Sequence, residues 1–145
     1  MKVLIQRVSH AKVVVGDETV GEIDRGLLAF VGISRDDDES VVERLAERVL
    51  NYRVFADAEG RMNQSLLDQG LSLLVVSQFT LVADTLRGKR PSFSTAASPE
   101  SAKKLYEHFI RVCCSQAKRV ETGRFGADMQ VSLQNDGPVT FLLEA

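Results

Sequence analysis

Apolar residues recur at two different periods along this chain, and the switches between them mark its elements. The first third runs in β-branched and alternating positions. Met1–Val8 and Ala11–Val15 read as strands, Gly16-Asp17 as a turn, Thr19–Ile23 as a short strand, Asp24-Arg25-Gly26 as a second turn and Leu27–Ile33 as a buried strand. From Asp36 to Tyr52 the period lengthens. Val41, Val42, Leu45, Ala46, Val49 and Leu50 fall on one stripe with Glu43, Glu47 and Arg48 outside it, which predicts an amphipathic helix capped by Asp37 or Asp38. Asn51–Gln69 is irregular, with a Glu59-Gly60 turn and a short strand near Val54. Leu71–Phe79 is apolar on both faces, as a central strand requires. After it comes a polar loop, Ala83–Ser98, holding Gly88 and Pro91. Ser98-Pro99 then opens a second helix, whose stripe is Ala102, Leu105, Tyr106, Phe109, Val112, Cys113 and Ala117. The chain returns to strands at Arg119–Thr122, Ala127–Leu133 and Val139–Leu143, with Asn-Asp-Gly-Pro as a turn between the last two.

The resulting order is strands, helix, strand, helix, strands, without repeats or linkers, so residues 1–145 are expected to form one mixed α/β domain. Two main helices cannot cover both faces of about eight strands. A mostly antiparallel sheet that curls or doubles into a barrel-like shape, with the helices on one outer side, resolves this; a second subunit covering the remainder is the alternative.

Composition narrows the class. At 44% hydrophobic and 26% charged residues the chain is neither disordered nor fibrous, and no run reaches the ~20 apolar residues of a spanning helix. Gln6, Arg7, Ser9, His10 and Lys12 break up the opening too often for a signal-peptide core, so a cytoplasmic location is expected. Net charge is −2, yet Thr85–Phe125 carries nine basic residues against three acidic ones. That excess suits an anionic partner, or simply two solvated helix faces and a loop. The two cysteines, Cys113 and Cys114, are adjacent and cannot staple the fold. With only two histidines besides, no structural metal site and no cofactor are expected.

Familiar catalytic patterns are missing: no phosphate-binding G-x-x-x-x-G-K-[ST] loop, no G-x-G-x-x-G turn and no G-x-S-x-G elbow. His108 falls on the polar face of its helix and His10 in or beside an N-terminal turn, neither with partners that suggest a triad. Two segments remain. Ser77-Gln78-Phe79-Thr80-Leu81 ends the central strand and enters a long loop, a place where polar groups either bind ligands or satisfy local backbone. Asn135-Asp136-Gly137-Pro138-Val139-Thr140 reads as a hairpin turn. It also holds a Gly-Pro bond, the kind that adopts cis at modest cost and then presents unshielded carbonyl oxygens as a rigid polar edge.

Together with the opening MKVLIQRV, RGLLAFVGI, LLVVSQFTL, RGKRPSF and GRFGADMQVSLQNDGPVTFLLE, these segments make the chain resemble, end to end, the D-aminoacyl-tRNA deacylase family, also called D-tyrosyl-tRNA deacylase. The resemblance implies a homodimer of barrel-like subunits with two sites at the interface. Each site hydrolyses the ester between a D-amino acid and the terminal adenosine of tRNA. It implies that Gly137-Pro138 is a cis motif reaching into the partner's pocket to exclude L-amino acids, that Arg7 holds it, that Ser77, Gln78, Phe79 and Thr80 form the pocket wall, and that Met129 lies near. A wall of main-chain oxygens tolerates hydrogen but rejects a side chain, so selection works against the L form, and glycyl-tRNA, with nothing to reject, is an expected substrate.

For the reaction, two routes stay open: Thr80 as a nucleophile, for which the sequence offers no base, or assistance by the ribose 2′-hydroxyl with a backbone N–H near Phe79 or Thr80 as oxyanion donor. Arg87, Lys89 and Arg90, just beyond the pocket motif, suit the phosphates of an acceptor stem. Partners are then tRNA and a second copy of the chain, with neither membrane nor DNA expected. Competing readings are a non-catalytic tRNA-end-binding protein and an amino-acid-binding or ester-cleaving protein without RNA.

Overall fold

The fold opens with one 14-residue strand, β1 (Lys2–Val15), described here in a computed structural model covering residues 1–145. The expected break near Ser9-His10 is absent. No Gly, Pro or Asn reverses the chain there, and His10 lies within β1, paired with Gln134. Ser9 is instead an extra residue in the ladder, since Val8 pairs with Asn135 and His10 with Gln134. That bulge re-phases the side chains. Val3 and Ile5 pack with the helices, whereas Val8, Ala11 and Val13 join a second apolar cluster on the opposite face of the sheet.

Strands β2 (Glu18–Ile23) and β3 (Gly26–Gly32) share one edge of β1: its first half pairs with β3, its second with β2, both antiparallel. β6 (Ser72–Ser77) lies parallel to β3, and β7 (Arg119–Thr122) parallel to β6. As the apolar run predicts, β6 is buried on both faces: Leu73 and Val75 look toward the helices, Leu74 and Val76 into the second cluster. It ends at Ser77, two residues short of the expected Phe79, which belongs to a 3-10 turn (Phe79–Val82). The sheet then curls until β7 presses on β2. Arg119 Nη2 donates to the Glu22 carbonyl at 3.2 Å, and a Cβ on Gly21 would sit 2.4 Å from the Thr122 carbonyl oxygen. Only a residue without a side chain allows that approach. The result is a nearly closed, barrel-like sheet.

Helices α1 (Glu39–Asn51) and α3 (Pro99–Gln116) pack together on one side of it, burying Leu45, Val49, Leu50, Tyr106 and Phe109 against β1, β3 and β6. Asp38 caps α1, accepting from the Val41 amide at 2.9 Å, and Ser98 caps α3 ahead of Pro99. Between the two helices lie a small hairpin, β4 (Phe55–Ala56) and β5 (Met62–Gln64), and a one-turn helix α2 (Leu66–Gln69) too short to leave a period in the sequence. A reciprocal Ser65–Asp68 cap starts α2.

The last strand departs most from expectation. Instead of two strands and a hairpin, β8 (Gln130–Glu144) is a single 15-residue strand antiparallel to β1 along its length. Asn135 lies opposite Val8 and Thr140 opposite Gln6, so residues 136–139 stand against Arg7 alone. Because β1 offers partners on both sides of the interruption, the Asn-Asp-Gly-Pro turn formers extrude a bulge rather than reversing the chain.

Candidate functional site

The C-terminal end of β6 opens into a cavity of about 460 Å³, walled by the start of α3, the 3-10 turn and the segment 123–129. Its lining is mostly apolar: Val31, Val76, Phe79, Phe125 and Met129 among others, with Ser77 and Gln78 contributing polar groups at the strand end. Two devices hold the walls. Tyr106 donates its hydroxyl to the Val75 carbonyl at 2.9 Å, and the same carbonyl accepts from the Gly123 amide at 2.9 Å, which docks the 123–129 segment on β6. Met129 Sδ then accepts from the Arg124 amide at 3.4 Å, in space that a Cβ on Gly123 would occupy, and Phe125 packs on the Tyr106 ring at 5.6 Å. Burial pushes the Tyr106 phenol above the ordinary tyrosine range, so it serves as a neutral donor.

Gln78 is fixed by its amide, which donates to the Val31 carbonyl at 2.8 Å, and its side-chain Nε2 donates to Thr80 Oγ1 at 2.5 Å. Thr80 is exposed and outside the cavity lining, and no imidazole or carboxylate reaches its hydroxyl. The histidines lie elsewhere: His10 in β1, and His108 on α3 between Glu43 Oε1 at 3.0 Å and Arg111 Nη2 at 3.2 Å.

The Gly137-Pro138 bulge, whose peptide bond is cis, stands exposed on β8 and is absent from the lining of this subunit's own cavity. Arg7, directly across, donates from Nε to the Asp136 carbonyl at 3.0 Å and from Nη1 to the Val54 carbonyl at 2.7 Å, with the Asp136 carboxylate 3.3 Å away. Asn135 closes the bulge from within. Its Oδ1 accepts from the Val139 amide at 3.0 Å and its Nδ2 donates to Thr140 Oγ1 at 2.9 Å. At Gly137, φ is +136°, and a Cβ would stand 2.7 Å from Val139 Cγ2 and 3.1 Å from Arg7 Nη2. Glycine is the residue this backbone accommodates.

The third group is the loop after the 3-10 turn. Asp84 and Ser92 exchange both backbone hydrogen bonds, at 2.8 and 2.9 Å, and so pinch off a tip carrying Arg87, Lys89 and Arg90, all exposed and in no ion pair. Phe93, just past the pinch, lies against Phe79 with ring centroids 5.0 Å apart, tying the basic tip to the cavity mouth.

Of the residues singled out in the sequence, Ser77, Gln78, Phe79 and Met129 thus meet at one cavity, with Thr80 tethered beside it. Arg7, Gly137 and Pro138 form a second cluster; Arg87, Lys89 and Arg90 form a third. Tyr106 and Phe125 escaped the sequence reading because a helix-stripe tyrosine looks like core. The need of a buried phenol for an acceptor was the available signal. No three His, Cys, Asp or Glu side chains gather so as to hold a metal ion, and no helix is long and apolar enough to cross a membrane.

Comparison with known proteins adds the chemistry. The family model described as D-Tyr-tRNA(Tyr) deacylase matches residues 4–144. D-aminoacyl-tRNA deacylases of Citrobacter koseri and Klebsiella pneumoniae are 59% and 60% identical over 144 residues, covering 99% of this chain and of theirs. Among solved structures, one named c-Myc DNA Unwinding Element Binding Protein superposes with a TM-score of 0.96 at 40% identity, covering 100% of this chain and 99% of its own. Another, titled as a probable eukaryotic D-amino acid tRNA deacylase, shares the fold at TM-score 0.85 and 17% identity, covering 98% of this chain and 97% of its own.

Proposed function

The chain belongs to the D-Tyr-tRNA(Tyr) deacylase family, and on that premise we propose that it is a D-aminoacyl-tRNA deacylase whose residues 1–145 act as one domain. Water adds to the ester carbonyl, the bond from that carbon to the ribose oxygen breaks, and a free D-amino acid and reusable tRNA leave. The observation that carries this reading is the meeting of Ser77, Gln78 and Phe79 at the mouth of one apolar cavity in a chain matched by the family from end to end. A cytoplasmic location belongs to the same proposal, since that is where a tRNA-borne ester would be met.

Chiral selection is assigned to Gly137-Pro138, acting across a homodimer. Two observations support it: the bulge is exposed and takes no part in its own subunit's cavity, and β8 has a neighbour on one edge only, with Phe141 and Leu142 exposed along it. A partner packed there would cover that edge and bring each bulge toward the other subunit's cavity. Main-chain oxygens at such a position reject the side chain of an L-amino acid, accept any D side chain and leave glycyl-tRNA open to cleavage. Arg7 holds the bulge, and Arg87, Lys89 and Arg90 take the acceptor-stem phosphates.

The reaction itself runs best without a protein nucleophile. Thr80 has no base within reach: its Oγ1 accepts from Gln78 Nε2, and no carboxylate or imidazole takes its proton. Assistance by the ribose 2′-hydroxyl, with the backbone N–H of Phe79 or Thr80 receiving the developing oxyanion, uses only positioning and preorganised dipoles. The test is tyrosine release from matched D-Tyr-tRNA and L-Tyr-tRNA, with Thr80→Ala alongside. Rapid loss of the D ester alone, surviving in Thr80→Ala, is expected. Equal decay of both esters would remove the chiral wall, and loss of activity in Thr80→Ala would restore the nucleophile. The relative named for binding DNA favours a second reading, a nucleic-acid-binding protein that leaves the ester intact; ester decay no faster than in buffer would select it.

A further inference from the structure

Phe79 and Phe93 are both large and both exposed, at 58% and 42%, although each already covers part of the other at a centroid distance of 5.0 Å. Their ring planes are tilted by 49°, which leaves aromatic surface facing solvent between the cavity mouth and the basic tip. Phe79 lines the cavity; Phe93 follows directly on the Asp84–Ser92 pinch that carries Arg87, Lys89 and Arg90. Phe93 is also pinned from behind, since its carbonyl accepts from the Ala96 amide at 3.1 Å and Ala96 bridges to Ser34 on the far side of the loop. The backbone that carries Phe93 is therefore anchored before any ligand arrives. Burying two phenylalanines would be the ordinary outcome of folding, and a loop anchored this firmly could have buried them.

Exposed aromatic faces interleaved with unpaired cations are the means by which proteins bind unpaired nucleic-acid strands: the cations take the phosphates and the rings take the bases. We infer that Phe79 and Phe93 form a stacking platform for an unpaired base of the RNA 3′ strand, in the stretch between the ester held at the cavity and the phosphates held at the basic tip. The inference rests on the reading that the protein acts on tRNA and extends it to a base contact that reads no sequence, because every base has a face to stack.

The test measures binding of uncharged RNA, so it stands apart from the deacylation assay. A short RNA hairpin with an unpaired 3′ extension is titrated against the parent protein, Phe93→Leu and Phe93→Trp, in parallel with the same hairpin blunt-ended. Leucine keeps apolar packing on Phe79 and removes the π face. Phe93→Leu is expected to weaken the extended hairpin about 5- to 100-fold, change the blunt one less than about two-fold, and Phe93→Trp to regain the affinity. Equal weakening of both hairpins, no weakening of either, or a parent protein that does not prefer the extended hairpin would each overturn the platform. A DNA hairpin with the same extension, bound as tightly and with the same dependence on Phe93, would overturn its assignment to RNA. A protein that stacks the extension yet fails to cleave D-Tyr-tRNA keeps this inference and loses the proposed activity.

Discussion

The cavity at the end of β6 and the bulge on β8 are built on opposite plans. The cavity is walled by apolar side chains from several elements, backed by α3, and its key carbonyl at Val75 accepts two hydrogen bonds. The bulge projects backbone into solvent, with Asn135 bracing it from inside and one arginine holding it from outside. A pocket that works by apolar shape spreads its support over many contacts and tolerates the loss of one. A wall that works by main-chain oxygens has to hold backbone in place with polar contacts, and those concentrate on few residues.

Arg7→Ala presses on that contrast hardest. It removes charge-assisted bonds to the Asp136 and Val54 carbonyls, so unfolding free energy should fall by about 2–4 kcal/mol and the ratio of D to L ester cleavage by roughly 10- to 100-fold. Arg7→Lys should recover only part of either, because one ammonium cannot span both carbonyls. Denaturant melts and paired deacylation rates read the two effects; an unchanged D to L ratio would mean the bulge stands without Arg7.

On the cavity side, Tyr106→Phe keeps the ring against Phe125 and leaves the Val75 carbonyl with its Gly123 partner. A loss of about 1 kcal/mol in stability and a change in deacylation within about three-fold are expected. A drop as large as that of Arg7→Ala would break the comparison.

The smallest effect concerns the adjacent cysteines. Burial, helped by neighbouring Cys114, pushes the Cys113 thiol up to about 12, whereas Cys114 is exposed. One thiol per native chain should therefore alkylate at pH 8, and mass spectrometry should place it on Cys114. Because the folded-state value of Cys113 is raised above 9.0, its contribution to stability is fully present below pH 9 and fades as pH rises toward 12. The parent should lose more stability than Cys113→Ala over that interval.

How much of this was readable in advance follows from the range of the forces involved. Capping and amphipathic periodicity act within a few residues, so α1 and α3 were legible to within a residue or two of their caps at Asp38 and Ser98, and the doubly apolar run of β6 announced a central strand. Ser77 and Gln78 in the cavity lining were legible for a related reason, since polar groups at the end of a buried strand stand out from it, whereas Phe79 was named only through the family resemblance. Asn135–Pro138 shows the limit. Local chemistry says turn, but whether a turn former reverses the chain or merely extrudes it depends on whether a neighbouring strand continues past it, and only β1, more than a hundred residues away in sequence, supplies that neighbour. Tyr106 is the same case in side-chain form, because a helix stripe specifies which face is buried and not what the buried hydroxyl will meet. The sequence by itself determined the two main helices and the central strand and, through its motifs, the family. Tertiary structure alone decided which carbonyls Arg7 and Tyr106 would hold, since those bonds join segments whose proximity no local interaction encodes.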